Sequence, residues 1–231
     1  MIGVLLSGSG VYDGSEIHEA TFTLYSIMKN GGDYLCMAPN KDQYHVVDHI
    51  TGEEQDQTRN TLVESARISR GNIQAVDKVN FDLLDALVIP GGFGAAKNLN
   101  QWAIEGPEGE IDPDVKKLIV DMIGAGKPVV GLCMGPTVIA KALQGTGWQV
   151  KLTVGTTEEE SPYEIAEISQ GMEDIGMSIE MRSVKEILYD SDNKVITAPC
   201  YMMDADITDV FYNVEMAINK LFEVLKEDGV E

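Results

Sequence analysis

The sequence predicts an α/β protein in which a mostly parallel sheet is covered by helices on both faces. Short apolar, β-branched runs alternate with longer segments of helical period, the pattern of repeated strand-helix units. Several of those runs, VLL at 4–6, ALVI at 86–89 and VVGL at 129–132, carry no polar alternation, as strands do when both faces are buried. A length of 231 residues, 44% hydrophobic and 24% charged, suits one domain with a full core of its own.

Strands are expected at 2–7, 33–38, 84–89, 128–133, 149–154 and 194–198, and helices at 15–29, 58–69, 114–125, 135–143 and 204–226. The helix boundaries have chemical punctuation. Gly31 and Gly32 end the first, Asp112 and Pro113 open the third, and Gly126 closes it ahead of Pro128. The last helix lines up Ile207, Val210, Phe211, Val214, Ala217, Ile218, Leu221 and Leu225 on one face, a core stripe. The polar segment 40–71, with His45, His49 and Arg59, reads as an insertion between sheet strands, a small flap or a partner surface.

Charge excludes whole classes of partner. With 38 acidic against 17 basic residues the net charge is −21, a field that repels nucleic acid and anionic membranes. The acids are scattered, as on a solvated surface. Three cysteines, at 36, 133 and 200, form no CxxC, so neither a disulfide framework nor a zinc site is expected, and a reducing cytoplasmic home is. The opening MIGVLLSGSG has no basic leader, and no apolar stretch reaches the ~18 residues of a membrane span.

Chemistry concentrates in three places. In VVGLCMGPTVIAKAL a buried strand runs into Cys133 and a helix starts at once, which sets a thiol at the carboxyl end of a strand and at a helix N-terminus. Such a terminus stabilises a thiolate. Cys36, inside YLCMA, reads as inert core, and Cys200, after a strand in TAPCYMM, as a lesser candidate. In IPGGFGAAKNL the paired Gly91 and Gly92 let backbone N–H groups face an oxyanion, or simply make a tight turn. The spacing matches neither phosphate-loop fingerprint. In SGSGVYDGSEIHEA a loop delivers Asp13, Glu16, His18 and Glu19 to a helix start, where the plain alternative is capping by Asp13 or Ser15.

SGSGVYDGSEIHEA, TRNTLVESARISRG, PGGFGAAKNL and GLCMGPT together resemble the ElbB/ES1 branch of the DJ-1/PfpI superfamily. The resemblance implies a three-layer, flavodoxin-like or class I glutamine amidotransferase-like sandwich, commonly dimeric. It also implies a cofactor-independent conversion of glyoxal to glycolate and a link to isoprenoid biosynthesis. It makes Cys133 the nucleophile, Glu19 its carboxylate partner with Glu16 second, and the N–H groups of Gly92 and Met134 the oxyanion hole. The chain departs from the superfamily in one respect: no histidine follows His49, and LTVGTTEEE offers Thr156 and Thr157 where one is expected. A Cys-His-Glu glutaminase in that order is therefore excluded. Either His18 substitutes from the first helix, or the site works with Cys133 and Glu19 alone. The −21 field disfavours a further anion, so a thiolate at Cys133 must be held by the helix terminus and hydrogen bonds, beside a protonated Glu19. Two functions remain: an enzyme acting on a small aldehyde or carbonyl compound, and a cysteine redox sensor or regulatory binding protein.

Overall fold

A computed structural model describes residues 1–230. The chain runs β1 (Ile2–Leu5), α1 (Ile17–Lys29), β2 (Tyr34–Ala38), α2 (Thr61–Ile68), β3 (Ile73–Ala75), β4 (Ala86–Ile89), α3 (Trp102–Glu105), α4 (Pro113–Gly124) and β5 (Val129–Leu132). It continues through α5 (Gly135–Leu143), β6 (Lys151–Leu152), α6 (Ile165–Asp174), β7 (Ser178–Ile179), β8 (Leu188–Asp190), β9 (Val195–Ala198) and α7 (Ile207–Glu227). Seven strands form one sheet in the order β3-β2-β1-β4-β5-β9-β8. Every neighbouring pair is parallel except β8 with β9.

The central strands are buried at every position in β1, β4, β5 and β9, which is why their sequences are unbroken apolar runs. Helix α1 packs on α7, and α4 on α5, so the sheet lies between two helical layers. Most of the α7 stripe is core, with Val210, Val214, Ala217, Ile218, Leu221 and Leu225 buried, whereas Phe211 is only partly buried and Ile207, at the helix start, is exposed. Asp112 caps α4 by accepting from the amides of Asp114 and Val115, with Pro113 in the first turn. Between β1 and β4 the chain reverses its direction of travel across the sheet, and ligands of open α/β sheets bind outside the strand carboxyl ends at such a point.

Several elements differ from expectation for identifiable reasons. The strand expected at 149–154 shrinks to β6 and leaves the main sheet, pairing with β7 in a sheet of two strands. β3 and β8 are three-residue edge strands, too short to show a period. Helix α6 escapes notice because its buried side includes Ser169 and Gly171. A Cβ at Gly171 would lie 2.9 Å from Pro107 and 3.0 Å from Trp102, so a large apolar residue has no room there. The first helix starts later than expected, and neither Asp13 nor Ser15 caps it. Glu16 does, accepting the Glu19 amide at 2.7 Å, because the other two are engaged elsewhere. Asp13 accepts the Val47 amide at 2.8 Å and Ser15 Oγ the Ser7 amide at 2.9 Å.

Within the polar segment, α2 is the crossover between β2 and β3, and residues 40–60 form an irregular flap over the loop that follows β1. Asn98 pins that flap. Its Oδ1 accepts the Tyr44 amide at 2.8 Å, while Nδ2 donates to the carbonyls of Ser7 and Asp13, both at 2.8 Å. Asn98→Ala strands one buried donor and two acceptors, so it should cost about 2–4 kcal/mol in denaturant unfolding. It should also expose 40–60 to early proteolytic cleavage. Wild-type stability with an unchanged cleavage pattern would show that the flap is held by other contacts.

Candidate active site

The site is assembled from four loops at the carboxyl ends of β1, β4, β5 and β9. Cys133 follows β5 directly, at φ 54°, a left-handed conformation that a non-glycine residue adopts only when its surroundings enforce it. Its amide donates to the Ala198 carbonyl at 2.9 Å, which ties the strained residue to β9. Gly91 makes the close approach possible. A Cβ there would lie 2.4 Å from the Cys133 Cβ, 2.8 Å from its sulfur and 2.7 Å from Glu19 Oε2. No other residue fits at 91 while the thiol and the carboxyl group stay together.

Glu19 is fully buried on the first turn of α1, and its Oε2 and the Cys133 sulfur face the same position over Gly91. Its Oε2 accepts the Gly91 amide at 2.9 Å and its Oε1 the Tyr201 amide at 3.4 Å. Burial, and after it the charge of Glu16, pushes the Glu19 pKa up to about 8. The Cys133 thiol is pushed well above its ordinary range too, first by burial and then by the Glu19 charge. The amides of Gly92 and Met134 act on the sulfur in the opposite direction without reversing the result. Burial thus opposes the thiolate that the helix terminus would favour and works toward a neutral thiol beside a protonated carboxyl group.

The other candidates separate. Gly92 and Met134 stand at the sulfur with Glu19, whereas the Gly91 amide is spent on Glu19 and is not free for an oxyanion. Glu16 lines the cavity over the thiol as well as capping α1. His18 is half exposed, and its Nδ1 lies 2.8 Å from the Tyr201 hydroxyl and 3.8 Å from Glu16 Oε1, so it meets the site through those two residues. Thr156 is not in the cavity wall. Its hydroxyl accepts the Glu158 amide at 3.2 Å, and its own amide faces the Met203 sulfur at 3.4 Å. Cys36 is buried core, pushed up to about 12 by burial. Cys200, also left-handed at φ 49° and fully buried, is close enough for the charges of Glu19 and Cys133 to act on its thiol.

The cavity above Cys133 measures only ≈ 10 Å³, about the space of one water molecule. Phe93, Tyr163, Tyr201 and Met202 close it. Sequence reasoning passed over these residues. Tyr201 and Met202 carried a signal, since they follow a strand's carboxyl end in APCYMM, and Phe93 sits inside GGFG. Tyr163 carried none.

Over 227 aligned residues the chain is 35% identical to the ES1 protein homolog, mitochondrial, of Rattus norvegicus, spanning 96% of this chain and 83% of that protein. The chain belongs to the ES1 family. The Homo sapiens relative, glutamine amidotransferase-like class 1 domain-containing protein 3, mitochondrial, is also 35% identical, over 96% of this chain and 82% of its own length. The crystal structure of an isoprenoid biosynthesis protein with amidotransferase-like domain from Ehrlichia chaffeensis superposes on this ES1-family chain with a TM-score of 0.87. It is 29% identical, covering 97% of this chain and 98% of its own. No protein-family model matches the chain. The ElbB/ES1 branch and the amidotransferase-like three-layer fold are therefore as the sequence implied. The mitochondrial names of both relatives do not fit the plain cytoplasmic home read from cysteine usage. Among the described residues no helix is long and apolar enough to cross a membrane.

The neutral Glu19 makes stability depend on pH in a definite direction. Between its ordinary 4.5 and about 8, the folded chain holds a proton that the unfolded chain releases, so stability is withdrawn as pH rises through that window. The full effect is on the order of 5 kcal/mol. Glu19→Gln removes the titrating group, so thermal unfolding between about pH 6 and about pH 9 should fall less steeply for the variant than for the wild type. Parallel pH profiles would show that Glu19 is not the buried proton carrier.

Proposed function

We propose that this ES1-family chain is a cysteine-dependent, cofactor-independent glyoxalase-type enzyme that converts glyoxal, or a related α-oxoaldehyde, to the α-hydroxy acid. The observation that carries the reading is the Cys133 thiol at the left-handed turn after β5, packed with the buried Glu19 carboxyl group over Gly91, with Gly92 and Met134 in the wall of the same cavity. The sulfur adds to an aldehyde carbon, the C=O π pair moves to oxygen, and the thiol proton passes by way of Glu19 to that oxygen, giving a hemithioacetal. The amides of Gly92 and Met134 hold the oxygen as charge develops. Glu19 then moves the proton from the hemithioacetal carbon to the neighbouring carbonyl side, leaving an α-hydroxy thioester. Water cleaves that ester, releasing the hydroxy acid and restoring the thiol. A carboxyl group poised near the working pH suits both directions of transfer. The Ehrlichia chaffeensis relative is described as an isoprenoid biosynthesis protein, and the proposal extends that link to this chain.

One observation favours a second reading. A cavity of ≈ 10 Å³ admits a water-sized oxidant more readily than a dicarbonyl. As a redox sensor, the Cys133 thiol would be oxidised by a peroxide to sulfenic acid, the peroxide being reduced to water or alcohol.

Cys133→Ser should abolish glyoxal consumption by pure protein, while Cys36→Ser, at a core position away from the site, keeps it. Turnover persisting in Cys133→Ser would sink the enzymatic reading. Intact mass after mild peroxide separates the second: stepwise oxygen addition mapped to Cys133 supports a sensor, and an unmodified Cys133 removes it.

A further inference from the structure

Beside the thiol cavity lies an open groove of ≈ 630 Å³, walled by Tyr12, Val47, Phe93, Lys97, Ile104 and Tyr163. Phe93 and Tyr163 wall the thiol cavity too. Their rings meet edge to face with centroids 5.8 Å apart, so they form the partition between groove and sulfur. The groove is far larger than glyoxal needs and falls in the size range of small-molecule sites. Most of its wall is apolar or aromatic; it holds one lysine, Lys97, and one histidine, His45, whose Nε2 lies 3.6 Å from Glu54 Oε2.

That lysine is placed with care. Lys97 stands on a single π turn, Ala95–Leu99, a rare geometry that concentrates at functional sites. Its neighbour Asn98 is locked by three hydrogen bonds, which fixes the turn. Lys97 Nζ donates to the Tyr12 carbonyl at 2.9 Å and lies 5.3 Å from the centre of the Phe93 ring. Two other lysines that are not exposed, Lys141 and Lys127, each have two acceptors. Lys141 donates to Pro107 O and Gln144 Oε1, and Lys127 to the carbonyls of Phe81 and Asp82. Lys97 has one such acceptor for three N–H groups, and Asp13 and Glu54 act on it only from beyond ion-pair distance. A half-buried ammonium without a paired carboxylate, facing a groove in a chain of −21 net charge, is the local opposite of the surrounding field.

We propose that this groove anchors the far end of the substrate, which is an α-oxoaldehyde bearing an anionic tail, carboxylate or phosphate, paired with Lys97. The carbonyl end then reaches Cys133 once the Phe93 and Tyr163 rings that divide groove from sulfur move apart. The inference rests on the carbonyl chemistry proposed above, and it makes Lys97 the residue that sets specificity.

The test compares kcat/KM for methylglyoxal, for γ,δ-dioxovalerate and for the phosphate ester of hydroxypyruvaldehyde. In the wild type one of the charged substrates should exceed methylglyoxal by about tenfold or more, and which one does identifies the tail. Lys97→Met should bring that ratio close to unity, and Lys97→Arg should retain most of it. A wild-type ratio near unity, or one that Lys97→Met leaves in place, overturns the inference. Calorimetry with levulinate, which has the carboxylate tail and no aldehyde, reads the groove without the chemistry. Binding to Cys133→Ser that disappears in Cys133→Ser/Lys97→Met supports the groove even where no turnover is seen, in which case only the enzymatic reading falls. If levulinate, and inorganic phosphate titrated in the same way, bind both variants alike or bind neither, Lys97 is removed as an anion anchor.

Discussion

One carboxyl group and one thiol, taken out of water side by side, set the terms for everything at the carboxyl edge of the sheet. Neither ionises easily there, because each anion would be desolvated and would face the other. Keeping them together needs an unusual backbone on both sides. Cys133 is held at a left-handed φ by its place between β5 and α5, and Gly91 must lack a side chain so that Sγ and Oε2 can converge. Glu19 in turn depends on amides from two other loops, those of Gly91 and Tyr201. The site is a property of four chain segments meeting, and a disturbance of any one of them reaches the sulfur.

This explains what was legible in the sequence. The central strands were readable because burial on both faces leaves only apolar residues, and α5 was readable to the residue because glycine and proline punctuate its start. Cys133, Glu19 and Gly92 were legible for the same local reason: each sits in a distinctive string at a strand or helix boundary. What escaped depends on distant contacts. α6 hides its core side behind Gly171, which exists to let Trp102 and Pro107 in. Tyr163 and Tyr201 close the cavity from segments with no periodic signal of their own. The helix terminus that favours a thiolate at Cys133 can be seen in the sequence, whereas the burial against Glu19 that opposes it cannot.

The −21 charge takes a different meaning once the site is visible. It is a surface property, and the buried pair answers to desolvation before it answers to any charge. The acidic field matters at the entrance. An anion approaching this surface is repelled, so a lysine placed in the groove next to the Phe93 and Tyr163 partition changes the balance where an approaching molecule would be sorted.

The missing histidine and the neutral pair bear on the same question of reaction class. Amide hydrolysis asks a site to generate a thiolate, stabilise an oxyanion and then protonate a leaving nitrogen, a sequence that a cysteine-histidine couple performs through its imidazolium. A neutral thiol beside a neutral carboxyl group is poorly placed for that, because separating their charges in a buried cavity is costly. Addition to an aldehyde asks for less. The thiol proton and the new C–S bond can move together, the carboxyl group accepting one proton while giving another, and no net charge need persist at the sulfur. The product of that step is neutral, as the reactants were. In the proposed reaction a buried carboxyl group pushed up to about 8 can therefore trade protons during the addition step without leaving a net charge at the sulfur.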